Sequence, residues 1–203
     1  MRHSLVLNGN QFSVIAFDVF GTLVKIGKRR SPYQKLMKYF KDQGHQPHSS
    51  DAAMIMSNNV DFVQLAATVG MHIPDQLLQE LINDLDDELQ SIELYEDTIS
   101  TLEQLRKLGF KLALCSNLAK PYGEAVFPLL PNFDAYAWSY EVGAIKPDPK
   151  IYQSLIDQLA CQAEDVLFIG DTPLADVTGP TTFGMSARLI NRKNGQTLND
   201  IFK

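Results

Sequence analysis

Only two cysteines, Cys115 and Cys161, occur in 203 residues. That is too few for a disulfide scaffold of any size, and a reduced, cytoplasmic setting is the expectation. No uninterrupted apolar run approaches the ~18 residues needed to cross a bilayer, so no membrane segment is predicted. The opening stretch Met1-Arg2-His3-Ser4-Leu5-Val6-Leu7-Asn8-Gly9 breaks too early to serve as a secretory leader. Positive charge is in the minority: 18 Lys and Arg against 24 Asp and Glu give a net charge of −6. This balance argues against a general nucleic-acid binder, although an anionic substrate can still meet a locally positive site. His45, His48 and His72 lack the spacing of metal ligands. There is no internal repeat and no low-complexity segment.

The composition that remains is ordinary for a globular core, with 45% apolar and 21% charged residues. The length suits one core domain with a modest insertion. The most informative stretch is Val14-Ile15-Ala16-Phe17-Asp18-Val19-Phe20-Gly21-Thr22-Leu23. An apolar, β-branched run ends on a carboxylate, and a Gly-Thr turn follows. Three later segments share that form. Leu112-Ala113-Leu114-Cys115-Ser116-Asn117 ends in a hydroxyl and an amide. Ala144-Ile145-Lys146-Pro147-Asp148-Pro149 holds a lysine in a proline-stiffened loop. Val166-Leu167-Phe168-Ile169-Gly170-Asp171 leads into Asp176, a second carboxylate. Ligands of parallel α/β sheets bind at the carboxyl ends of strands. Each of these ends carries a group that a phosphate or metal site needs.

The first strand is predicted over residues 12–18. Residues 25–94 read as helical, with no clear strand. One helix starts at Ser31-Pro32 with Tyr33, Leu36, Met37 and Phe40 at helical spacing. A second is capped by Asp51 and carries Met54, Phe62, Leu65, Ala66 and Val69 to Gly70. A third runs from Pro74 with Leu77, Leu78, Leu81, Ile82, Leu85 and Leu89. The rest alternates: a helix over 98–108, a strand over 111–115, a helix over 119–130 broken by Pro128, and a short strand over 134–138. A helix opened by Asp148-Pro149, a strand over 166–169, a helix over about 174–183 and a strand over 185–190 follow. Such alternation implies a parallel sheet covered on both faces.

In this order the four segments resemble the haloacid dehalogenase-like (HAD) hydrolase superfamily, from about Phe12 to about Ile190. The resemblance implies a Rossmann-like α/β core over 1–24 and 95–203, with an inserted helical cap over 25–94 covering the active site. Asp18 matches the nucleophile, Ser116 the strand-end hydroxyl, Lys146 the lysine, and Gly170, Asp171 and Asp176 the acidic fourth motif. Ser116, Asn117 and Lys146 are expected to hold a phosphate, with Gly21 and Thr22 shaping the turn beside it. Asp18, Asp171 and Asp176 would repel one another unless a cation sat among them. Mg²⁺, a hard ion that prefers oxygen, is the expected cofactor, and the Phe20 carbonyl is implied as a further ligand. The expected partner is a small phosphorylated metabolite, not a nucleic acid or a membrane.

One position departs from the resemblance. Phosphatases of this superfamily usually carry a second Asp two residues after the nucleophile, and here that place is Phe20. General acid–base catalysis typically contributes ~10²–10⁴ in rate. The 2-haloacid dehalogenases of the superfamily also have an aromatic residue there, need no metal, and form an aspartyl ester. Against that alternative stand the retained Asp171 and Asp176. A weakly catalytic relative that binds a phosphorylated ligand or a protein is a third reading. Cys115 lies within an apolar strand and reads as core rather than as a nucleophile. Lys28-Arg29-Arg30 reads equally as a solvated turn or as a greeting for an anion.

Overall fold

Residues 14–17, 111–116 and 166–170 send alternate side chains to two different layers, and both layers are apolar. Ile15, Phe17, Leu112, Leu114, Leu167 and Ile169 pack in one cluster. Val14, Ala16, Ala113, Cys115, Val166 and Phe168 pack in the other. Strands apolar on both faces belong in the middle of a parallel sheet with helices on each side. The chain, as a computed structural model, describes residues 5–7, 10–46, 48 and 50–202. Residues 1–4 and 8–9, on which much of the leader expectation falls, lie outside the described residues.

In chain order the elements are β1 (Leu5–Leu7), β2 (Asn10–Phe12), β3 (Val14–Phe17), β4 (Val24–Ile26), α1 (Pro32–Asp42), α2 (Asp51–Met56), α3 (Phe62–Thr68), α4 (Asp75–Gln90) and β5 (Ile92–Leu94). There follow α5 (Thr98–Lys107), β6 (Lys111–Ser116), α6 (Lys120–Val126), β7 (Ala135–Trp138), α7 (Ser139–Val142) and α8 (Pro149–Leu159). The chain closes with β8 (Val166–Gly170), α9 (Gly179–Phe183), β9 (Ser186–Leu189) and α10 (Leu198–Ile201). Five strands form one sheet in the order β7-β6-β3-β8-β9, and every pairing within it is parallel. Phe17 lies level with Leu114 on one side and Ile169 on the other. The residues after these three positions therefore emerge at one edge of the sheet, which is the α/β arrangement expected from the sequence.

Four expectations are corrected. Residues 25–94 are not purely helical. β4 and β5 pair antiparallel, with Val24 opposite Leu94 and Ile26 opposite Ile92, so the chain leaves and re-enters the core as a ribbon. Strands of three residues cannot establish a period of two in sequence, and their pairing partner is some seventy positions away. The second correction concerns the single helix expected over 51–70, which is two helices. Ser57 Oγ and Asn58 Nδ2 turn back to the carbonyls of Ala53 and Met54 at 2.6 and 2.9 Å, closing α2. Asp61 then starts α3 with a capping box shared with Gln64. Asp51 does not cap by its side chain; it accepts from the His48 amide at 3.0 Å. The segment expected to be helical over 174–183 begins as a π-helix, Pro173–Thr178, before α9.

Helices α1–α4 have a small core of their own, built on Leu36, Phe40, Phe62, Leu65 and Leu81. One buried carboxylate joins this bundle to the sheet domain. Glu88 on α4 is 2% exposed. Its Oε1 accepts from the Arg30 amide at 3.0 Å, and its Oε2 accepts from the Tyr122 hydroxyl of α6 at 2.6 Å. Among the described residues no helix is long and apolar enough to cross a membrane. Glu88→Ala is expected to lower stability by about 1–3 kcal/mol, because it leaves two half-buried donors unpaired. A fall in the urea midpoint checks this, and an unchanged midpoint would count against it.

Candidate active site

Asp18 follows β3 directly, and its amide donates to the Ile169 carbonyl of β8 at 2.9 Å. Its side chain, 7% exposed, accepts at Oδ1 from Ser116 Oγ at 2.9 Å and from Lys146 Nζ at 2.7 Å. Lys146 Nζ also donates to Asp176 Oδ1 at 2.6 Å. Lys146 is 3% exposed and Asp176 1%. Asp171, Asp18 and Asp176 each offer one carboxylate oxygen within 4.8 Å of the others. A cavity of about 210 Å³ opens on this cluster, with Phe20, Asn117 and Thr172 in its wall.

Local sequence explains how the groups converge. Gly21 has φ +77°, and a β-carbon there would collide with the Asp171 carboxylate, so glycine is required by conformation and by space. At Gly170 a β-carbon would strike the Asp176 side chain. The chain can therefore turn back on β8 and bring the second acid to the strand end. Thr172, which the sequence reading passed over, secures both acids. Its amide donates to Asp176 Oδ2 at 2.9 Å and its hydroxyl to Asp171 Oδ1 at 3.1 Å. Asn117 clamps the lysine loop: its Nδ2 donates to the Lys146 carbonyl at 2.9 Å, and its Oδ1 accepts from the Lys146 amide at 2.6 Å. That reciprocal pair joins two loops far apart in sequence, and no short-range pattern announces it.

Ser116 does not cap the helix after it, because α6 starts at Lys120 with Ala119 before it. Gly21 and Thr22 do not line the Asp18 cavity. Gly21 sits beneath Asp171. Thr22 is fully buried, with a hydroxyl that has no hydrogen-bond partner and a carbonyl that accepts twice from Arg192, at 2.7 and 3.0 Å. Arg192 also pairs with Asp97 at 2.9 Å and lies 4.3 Å from the Tyr95 ring centre. It thereby ties the turn after β3 to the end of the chain, a role with no sequence signal beyond one arginine among several. Cys115 is buried in the core cluster, and burial pushes its thiol up to about 12, so it stays a protonated core residue.

The electrostatics of the cluster are unbalanced. Three carboxylates face one ammonium, and two negative charges remain, the charge of one divalent cation. Burial pushes the Asp18 carboxyl up to about 6, against the pull of Lys146 and with a further push from Asp176. Asp171 is also raised, by burial first. Burial alone would lower Lys146, but Asp18 and Asp176 outweigh it and hold the ammonium above its usual range. All-oxygen donors with excess negative charge are the set that Mg²⁺ takes. The residues present therefore fit that ion, Asp18 and Asp171 more openly than Asp176, whose two oxygens already accept hydrogen bonds.

The family profile of haloacid dehalogenase-like hydrolases matches residues 12–184. The chain belongs to that family. It is 36% identical over 107 residues to a glyceraldehyde 3-phosphate phosphatase of Methanopyrus kandleri, covering 51% of this chain and 46% of that protein. It is 27% identical over 197 residues to (S)-2-haloacid dehalogenase 1 of a Pseudomonas species, covering 88% of this chain and 84% of that one. The fold superposes on a HAD-family enzyme of Bacteroides thetaiotaomicron crystallised with magnesium and inorganic phosphate. There the TM-score is 0.65 and the identity 15%, over 95% of this chain and 100% of that one. The chain spans about half the length of the phosphatase it matches.

Two outcomes follow from the charge arrangement. Lys146→Met is expected to cost about 3–5 kcal/mol in chelator, since it strands buried carboxylates, and chemical denaturation checks it. Asp18→Asn has the opposite sign. A carboxyl raised from 3.8 to about 6 holds its proton longer in the folded state. Wild-type stability therefore falls as pH rises through that window. Asp18→Asn should be more stable than wild type at pH 7.5 in chelator by about 1–3 kcal/mol, with the gain shrinking below pH 6.

Proposed function

We propose that this HAD hydrolase is a Mg²⁺-dependent phosphatase acting on a small phosphorylated metabolite through an aspartyl-phosphate on Asp18. The observation that carries the reading is the cluster of Asp18, Asp171 and Asp176 around a single lysine, two positive charges short of neutrality. Asp18, Asp171 and Asp176, with the Phe20 carbonyl, would hold the ion. Once bound it would supply neutralisation of the charge on the transferring phosphoryl group.

Asp18 Oδ2 accepts no hydrogen bond from the partners of Oδ1 and is the attacking oxygen. It forms a bond to phosphorus as the bond from phosphorus to the leaving oxygen breaks. Lys146 lies against Asp18 Oδ1 and lets an anionic nucleophile approach an anionic ester. Ser116 and the Asn117 amide hold phosphoryl oxygens, and the Asn117 side chain keeps Lys146 in place. Water then attacks the phosphorus of the aspartyl-phosphate, releasing phosphate and restoring the Asp18 carboxylate. Residues 25–94 act as a cap over the core formed by 1–24 and 95–203, and the ribbon β4–β5 is the joint between them. Two unpaired cysteines suit a reduced, cytoplasmic setting.

The relatives support the reading unequally: the phosphatase is more similar, the dehalogenase is aligned over more of its length. Phe20 fits the dehalogenase as well, so the test includes it. Hydrolysis of 4-nitrophenyl phosphate with Mg²⁺ is expected, with loss in chelator and a fall of about 10³-fold or more in Asp18→Asn. Activity unchanged by Asp18→Asn would overturn the mechanism. Halide release from 2-chloropropionate in chelator would establish the ester-forming alternative.

A further inference from the structure

A second cavity, of about 370 Å³, adjoins the catalytic one and shares Phe20 and Asn117 with it. It runs between the core and the helical insert. Its wall is apolar, with Ile26, Ile55, Met56 and Leu118 beside the rings of Phe20, Tyr33 and Tyr122. Among the described residues of that lining, Arg29 carries the one formal charge, and there is no carboxylic acid or imidazole. The two phenols are poor proton donors. Tyr122 stands edge-on to Phe20, with ring centres 5.8 Å apart, but its proton is already given to the buried Glu88. Burial pushes Tyr33 up to about 12. In the catalytic cavity itself, Lys146 is committed to two carboxylates, the Ser116 hydroxyl faces Asp18, and the three carboxyl groups of the lining, Asp18, Asp171 and Asp176, are the nucleophile and the metal-holding acids of the reading above.

An ester bound across both cavities thus places its leaving oxygen beside groups that cannot protonate it, and its organic body against apolar and aromatic surface. We infer that the substrates are phosphate esters of acidic hydroxyls, phenols or enols, whose oxygen departs as a stabilised anion from an apolar or aromatic body. This rests on the phosphatase reading above. The step balances without an acid: Asp18 gains the phosphoryl group, the leaving group keeps the electron pair of its P–O bond, and its proton comes later from solvent. Arg29 supplies a counter-charge for an acidic substituent on that body.

Leaving-group dependence tests this directly. With Mg²⁺, kcat/KM is to be measured for 4-nitrophenyl, phenyl and benzyl phosphate, three esters with similar bodies and rising leaving-group pKa. The expectation is a fall of about 10²-fold or more from nitrophenyl to benzyl phosphate. Phe20→Asp should raise the benzyl-to-nitrophenyl ratio by about 10²–10⁴, the usual worth of a placed general acid. Equal turnover of all three esters by the wild-type protein would overturn the inference while leaving the phosphatase reading intact. Release of phosphate from none of them would overturn that reading, and the inference with it. The wild-type series is decisive even if Phe20→Asp does not fold.

Discussion

Lys146 is the point on which the site turns. A lysine buried this deeply keeps its charge because carboxylates from two different strand ends meet it, Asp18 after β3 and Asp176 after β8. Each partner justifies the burial of the others. The arrangement stops short of neutrality, and the proposed function turns on that surplus. A fully compensated cluster would have no affinity for a cation, whereas one with surplus negative charge at one open edge does. The backbone reinforces the geometry, because parallel strands in register deliver their C-terminal residues to a common edge without any long side chain having to reach.

Around that edge, small residues and amides do the positioning. Gly21 and Gly170 clear the volume that Asp171 and Asp176 occupy. Thr172 and Asn117 then spend their polar groups on holding neighbours, so the rotamers of the acids and the lysine are fixed before any ligand arrives. Preorganisation of this kind removes reorganisation from the reaction itself. The cost falls on the turn after β3, where Thr22 keeps a buried hydroxyl without a partner and Arg192 crosses the whole chain to support its carbonyl.

Much of this could be read from the sequence, and the boundary between legible and hidden is physical. The core strands were visible because both faces are apolar over consecutive residues, and the site acids because each follows such a run. The ends of α1, α5 and α8 were marked by Pro, Gly and Asp in their usual places. Hidden were features made by distant pairing: the β4–β5 ribbon, the Asn117–Lys146 clamp, the reach of Arg192 and the contact of Glu88 with Tyr122. None of these leaves a local periodicity. The break between α2 and α3 was legible in principle, through Asp61 and Gln64, but the helical spacing of Met54, Phe62, Leu65 and Val69 across it masked the cap. Thr22, expected beside the ligand from its motif, is buried under the turn because the chain folds back on Val19 immediately after Phe20.

The antiparallel ribbon has an architectural effect of its own. Because Val24 and Leu94 lie side by side, the excursion between them begins and ends at the same place on the core. The strand order and the register of the central sheet are indifferent to what is threaded there. Helices α1–α4, with their separate apolar centre, amount to an exchangeable cassette. The surface of these helices can therefore change while the residues at the sheet edge stay as they are.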